Sequence, residues 1–459
     1  MYLCAIAIGC HPSALGCSGK PGDTVDGDAL IEEVSLEVSA VYPTVATIRW
    51  TTTVPTTGWV EFGRLGEVEH TTSPEVEPAT EHSQLLLGLT EDTSYSFVLV
   101  VETEDDTEYS GSTTFMTGSL PVFGSDPEFT LVEPGQGAGG FLLAPIWAGG
   151  ANDHLAILDD QGRYVWAQAL SDGGFTRARL STDGRTVLYN LNPAQLDDMG
   201  VLVLRSLDGE EEERIDIPGI HMDFAEVRPG LYALLSQEII ALDDGRRVLN
   251  EIILEVDDQG GERVVWDSVQ SLEIDLAVSY PEGLYGPGYE VPLHLNSLSY
   301  DPVEDAFYAT SLFRGAVYKV DRVSGELVWT LAAMDGDFSS AGQPEDLQFL
   351  PHSAVATAAG VLIFDRYSTS SDQCSAAAEY SLDLDRMVAE RAWGYSTEDC
   401  QVNMMMGNAQ DLWNGNRLLV LAMNGQIDEV APDGSLVSRL TLDYGRTLMY
   451  CERFQSFYP

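Results

Sequence analysis

The chain holds seven histidines, and three of them stand at the same place in successive units of a repeat. His221 opens His-Met-Asp-Phe-Ala, His294 opens His-Leu-Asn-Ser-Leu and His352 opens His-Ser-Ala-Val-Ala, each just ahead of a strand-like segment. A neutral imidazole, with a pKa of about 6.5, is largely deprotonated at pH 7 and can act as a nucleophile. A second imidazole can pass a proton to a departing oxygen. Arg314 adds a guanidinium, whose paired donors suit an anionic group. Together the three histidines and the arginine form a minimal set for moving an anionic group between oxygens. Satisfied core or turn histidines are the alternative. That alternative explains any one of them better than it explains three in register. His154 has no counterpart at the start of a unit and is read as structural.

The elements that must position these residues are strands. Beyond Leu120 a hairpin recurs, in which an apolar pair leads to Asp, a turn, Gly and a second apolar strand often ending in Trp. It runs from Leu158 to Trp166, Val256 to Trp266, Val320 to Trp329 and Leu382 to Trp393, with degenerate copies from Val203 to Ile217 and Val430 to Leu440. Six such outer hairpins, with segments such as Asn414 to Val420 as inner strands, predict a six-bladed β-propeller over residues 119–459. In a propeller, equivalent blade positions converge on the central channel, so the three imidazoles are expected to face one another.

Upstream, apolar residues alternate from Val34 through Val101, the signature of half-buried strands. Residues 31–118 therefore read as a β-sandwich. Leu87 to Tyr95 resembles the turn of fibronectin type III domains, where a Tyr caps a corner, and Trp50 stands where their core Trp would. The expected fold class is all-β, a sandwich followed by a propeller.

His294-Leu295-Asn296-Ser297, then Arg314, Gly325 to Trp329, Phe349 to His352 and Gly360 to Asp365, resemble in combination the bacterial arylsulfotransferase (aryl-sulfate sulfotransferase) family of six-bladed propellers. The resemblance covers roughly Gly140 to Tyr458. It implies transfer of a sulfuryl group from an aryl sulfate to a phenol through a covalent sulfohistidine, with no nucleotide sulfate donor and no cofactor. By correspondence His352 is the nucleophile, His221, His294 and Arg314 surround the sulfate, and Asn296 is a positioning amide that meets substrate. The family commonly has Gln-His-Asp where this chain has Pro351-His352-Ser353, and Asp-Asn where it has Asp365-Arg366. Two rivals stay open: a variant in which water takes the sulfate, and a non-catalytic ligand-binding propeller at the cell surface. Tyr280 to Pro292, with Tyr285 and Tyr289 among Gly and Pro, offers rings to stack on an aryl substrate, or is a plain connecting loop.

Composition excludes other classes. With 23 basic against 73 acidic residues the net charge is −50, and only Lys20 and Lys319 are lysines, so a nucleic-acid partner is not expected. Gly135 to Gly140 fits GxGxxG but precedes a strand-like segment instead of a helix, and reads as a linker. No CxxC pair occurs, and no metal site is expected. Met1 to Gly9 is apolar, and Ala7-Ile8-Gly9-Cys10 and Ala14-Leu15-Gly16-Cys17 look like bacterial lipoprotein cleavage sites, with lipidation expected at Cys10 or Cys17. Residues 1–30 then form a signal-like segment and a Gly/Asp-rich tether, giving attachment to a membrane through lipid and a periplasmic or cell-surface location. In that oxidising compartment Cys374 and Cys400 are the expected disulfide.

Overall fold

The structure, a computed structural model, describes residues 30–121, 129–135, 137–149, 153–170, 174–193, 198–282, 288–342, 344–347, 350–366, 373–442 and 447–458. Cys10, Cys17 and Tyr285 lie outside the described residues. The chain divides into two compact units, one of residues 1–121 with Leu207–Glu210 and Phe457–Pro459, the other of the remainder.

In the first unit the long strand Ala46–Arg64 serves two sets of partners. Its first half pairs with Ile31–Val38 and Ala79–Leu86, and its second half with His70–Thr71 and Ser94–Glu102. The alternation seen in the sequence puts Ile48, Trp50, Val60, Phe62, Tyr95, Phe97 and Leu99 into one core. The Tyr95 hydroxyl oxygen accepts the backbone N–H of Thr90 at 2.9 Å, which pins the corner before its strand.

Among the described residues the second unit consists of six sheets of four or five strands, antiparallel except where Ser339–Ser340 pairs parallel with Val388–Ser396 at the edge of the fifth. Each repeated hairpin found in the sequence forms the third and fourth strands of one sheet counted from its inner edge: His154–Ala169, Met199–Pro218, Arg247–Asp267, Ala316–Ala332, Ala376–Ser396 and Gln426–Leu442. The Asp and Gly of the repeat explain why the chain reverses there. Asp159 Oδ1 accepts the N–H groups of Gln161 and Arg163, and Gly162 takes the left-handed φ of 79° that a side chain would resist. Asp257 and Gly260 repeat the device. Of the repeated tryptophans, Trp166, Trp266 and Trp329 are buried and Trp393 half-buried: Trp266 lies against Tyr318 and Trp329 against Tyr308 and Phe338. The cores therefore lie between blades, and each blade depends on its neighbours.

Closure uses both ends of the unit. Phe129–Pro134 pairs outside Leu436–Leu442 of the sixth blade, while Thr447–Leu448 and Glu452–Phe454 pair with Phe141–Trp147 and supply the inner edge of the first. Among the described residues no helix is long and apolar enough to cross a membrane.

Candidate active site

The inner strands of the third, fourth and fifth blades are Ile220–Arg228, Leu295–Asp301 and Pro351–Thr357. His221, His294 and His352 stand at their leading ends, and all three are buried. The same irregularity recurs at each of these ends. Pro351 pairs with Asp365 but Ser353 with Phe364, so His352 is the extra residue of a bulge. Asn296 is the extra residue between Leu295 and Ser297. In the third blade the bulge spans His221, Met222 and Asp223. A bulge re-aims side chains that a regular strand would send into the blade interfaces. Met222 and His294 adopt left-handed φ values of 57° and 53°, the kind of local backbone cost retained where it serves a site.

Neighbouring blades are tied together at this end. Glu251 Oε1 meets His221 Nε2 at 3.2 Å and accepts the backbone N–H of Leu295 at 2.8 Å, so one buried carboxylate couples two of the histidine-bearing strands. Asn296 Nδ2 donates to Pro351 O at 3.1 Å and its Oδ1 accepts from Thr310. The amide called as substrate-binding is thus engaged on both sides, and it fixes the residue preceding His352.

Tyr450, on the returning C-terminal segment, meets His352 Nδ1 at 2.8 Å, His352 O at 3.0 Å and also Asn296 O. A phenol carries one proton, and both carbonyls can only accept. With that proton donated to a carbonyl, the phenol oxygen accepts from Nδ1–H.

Burial holds His352 well below the usual histidine range, and the charges of Arg366 and His294 push it the same way. Burial also pulls His294 down to about 4, opposed by Glu251 and reinforced by His221 and Arg366. Both rings are therefore neutral at pH 7, the state a nucleophile needs. Arg366 follows the strand Gly360–Asp365 and is itself buried, with Nη1 donating to Met404 O at 2.8 Å. Its charge also bears on Tyr450.

Arg314 lies apart from this buried group. It is exposed, in the turn between Ala306–Ser311 and Ala316–Asp321, with its guanidinium 5.9 Å from the centre of the Tyr280 ring. That turn is at the His294 end of its blade, since Leu295 pairs with Ser311. Tyr289 is half-buried under the Arg247 guanidinium, 4.1 Å above its ring. Beyond the histidines a cavity of about 340 Å³ continues between the inner strands, lined in part by Arg177, Arg179, Asp223, Ser353 and Glu452. Cys374 and Cys400 form the expected disulfide. It anchors Ser375, whose hydroxyl donates to Arg366 O at 2.6 Å and accepts the N–H of Asn403 at 2.7 Å. Among the described residues no cluster of His, Cys, Asp and Glu is arranged to hold a metal ion.

Sequence reasoning missed Glu251, Tyr450 and the placement of Arg366. Nothing in the repeat pattern marks Glu251 or Tyr450, because both act across blade boundaries. Arg366 was visible only as a departure from the family pattern.

The arylsulfotransferase (ASST) family model matches residues 140–431. No curated protein matches the sequence. Among solved structures the chain is similar to TolB from Acinetobacter baumannii, at 11% identity and TM-score 0.40 with 80% of each chain covered. It is also similar to a chain of a nidogen/laminin complex, at 12% identity and TM-score 0.42 over 68% of this chain and 97% of that one. A streptogramin B lyase matches at 12% identity and TM-score 0.38 over 68% and 86%. The family match takes in more than half of the sequence and all three histidine-bearing strands: the chain belongs to the arylsulfotransferase (ASST) family.

Proposed function

We propose that this protein transfers a sulfuryl group from an aryl sulfate to a phenolic acceptor through a sulfohistidine at His352, with no nucleotide sulfate donor. The observation that carries the reading is the state of His352: a buried imidazole held neutral, with Nδ1 2.8 Å from the Tyr450 hydroxyl, so that one ring nitrogen keeps its lone pair. In the first half-reaction the unprotonated ring nitrogen of His352 attacks sulfur, the S–O bond to the aryl group breaks, and the aryl oxygen leaves as a phenolate held by a hydrogen bond from the N–H of the neutral His294 or of His221. In the second, the acceptor phenol gives up its proton to one of these rings and its oxygen takes the sulfuryl group, breaking the N–S bond and restoring His352. The transition state of such a transfer is loose by analogy with phosphoryl transfer, so positioning and charge do most of the work. Asn296 acts by holding Pro351, and Arg314 meets the anion as it enters.

The remaining expectations belong to the same reading. The disulfide supports an exported protein, periplasmic or at the cell surface, and the N-terminal cysteines supply the lipid attachment. The Tyr95 corner supports a fibronectin type III-like sandwich in the first unit. The test is release of nitrophenol from a nitrophenyl sulfate with and without added phenol. Transfer predicts that turnover depends on the phenol and yields phenyl sulfate. Phenol-independent release with free sulfate as product would make the protein a hydrolase, and no release would leave a binding propeller.

A further inference from the structure

The protein carries 73 acidic side chains against 23 basic ones, so a carboxylate is the expected partner of any arginine that is buried. Two of the buried arginines meet that expectation. Arg177, 7% exposed, lies near Asp223 and Glu452, and Arg453, 5% exposed, near Glu429. Arg366, 8% exposed, does not: among the described residues its guanidinium has one hydrogen bond, from Nη1 to the Met404 carbonyl, and no ion pair, while its buried Nε, like those of Arg177 and Arg453, has no acceptor. The adjacent Asp365 acts on it through charge without an ion pair, its Oδ1 accepting the N–H of Leu350 at 2.8 Å. Burying a charge without a counter-ion costs several kcal/mol, and such a cost persists where something outside the folded chain supplies the counter-charge.

The position of Arg366 says where that counter-charge sits. Its backbone N–H bonds Leu350 O at 3.2 Å, in the segment leading to His352, and its charge depresses both His352 and His294. The bracing around it is firm: Ser375 Oγ holds its carbonyl, Asn403 Nδ2 holds the Met405 and Met406 carbonyls beside Met404, and the Cys374–Cys400 disulfide ties the flanking segments. A guanidinium held this way has unspent donors in a region from which water is largely excluded, the setting in which hydrogen bonds to an anion are strongest.

From this we infer that Arg366 is a sulfuryl-binding residue of this protein, contacting the oxygens of a sulfate group poised at His352. The inference rests on the proposed sulfuryl transfer and adds to it a residue that the family pattern does not supply. Arg366 then carries the charge neutralisation at the reacting centre, while Arg314 acts at the mouth.

The test compares the wild-type full chain with Arg366→Gln and Arg366→Lys, using inorganic sulfate as the probe in calorimetry and thermal unfolding, and a nitrophenyl sulfate for turnover. Sulfate should raise the midpoint of the wild type and not that of Arg366→Gln, whose sulfate affinity should fall at least about tenfold and whose kcat/KM about a hundredfold. Arg366→Lys should restore part of both. In sulfate-free buffer Arg366→Gln should unfold at or above the wild-type midpoint, since an uncompensated charge has been removed. Unaltered sulfate binding in Arg366→Gln overturns the inference, and so does collapse of both variants, which would make the cation structural. Loss of sulfate binding alongside a wild type that turns over no aryl sulfate would uphold the anion site and sink the transfer reading. Full turnover by Arg366→Gln would do the reverse.

Discussion

Two regions of the propeller interior treat buried arginine in opposite ways. In the cavity beyond the histidines, Arg177 and Arg179 share Asp223 and Glu452, at 3.3 to 3.6 Å. Asp223 also accepts the backbone N–H groups of Phe224 and Leu298, so the network joins inner strands of adjacent blades. At the histidine end, among the described residues Arg366 makes no ion pair, and burial keeps His294 and His352 neutral. Paired charge holds the blades in register, and unpaired charge is kept where a substrate completes it. Removing a residue from the first region should cost stability, and from the second, chemistry.

The largest expected effect is at the nucleophile. His352→Ala should reduce aryl-sulfate turnover by at least about a thousandfold while leaving the thermal midpoint near that of the wild type, because no neighbouring group can replace the covalent intermediate. Near-normal transfer by this variant would remove His352 from the mechanism. The opposite signature belongs to Asp223→Asn, which breaks the paired network on one side. It should destabilise the protein by about 3 kcal/mol, read as a lower urea midpoint, with kcat/KM changed far less than in His352→Ala. An Asp223→Asn protein as stable as the wild type would mean that the network is not what joins the blades.

How much of this contrast could be read in the sequence depends on whether the signal was periodic. The six outer hairpins were legible because Asp, Gly and Trp recur at fixed offsets and each has a local job: side-chain capping of a turn, a left-handed φ, and filling the space between sheets. The three histidines were legible because blade symmetry turns equal spacing into proximity. Tyr450 and Glu251 were not. Each acts on a residue about one hundred and about thirty to forty-four positions away, respectively, across blades, and no local rule marks such a pairing. Closure by Phe129–Pro134 and the C-terminal strands was equally silent, since those segments have no repeat partner. Arg366 was in plain view, but only burial shows that it lacks a counter-ion.

A smaller effect is expected at Arg314, where exposure leaves room for another cation. Arg314→Lys should lower kcat/KM by roughly tenfold, about 1.4 kcal/mol, since a point-charge ammonium does not reproduce paired donors. Unchanged kinetics would confine charge recognition to the buried end of the channel. The mildest perturbation is pH. Since the folded chain holds His294 near 4 and His352 well below 6.5, the unfolded chain binds more protons between those limits. The stability these rings contribute is complete above about 6.5 and is lost as the pH falls toward 4. Activity should accordingly stay level from pH 7 down to roughly 5, because both rings remain neutral. An acid limb centred near 6.5 would contradict the burial of these imidazoles.

The central claim is tested most directly by trapping the intermediate. The full chain is mixed with a nitrophenyl sulfate in the absence of acceptor, quenched in alkali, digested and mapped by mass spectrometry. The account predicts a burst of nitrophenol of about one equivalent and one added SO₃ on the peptide containing His352, removed when phenol is supplied before the quench. A burst with no labelled peptide, or a label on any residue other than His352, would contradict it.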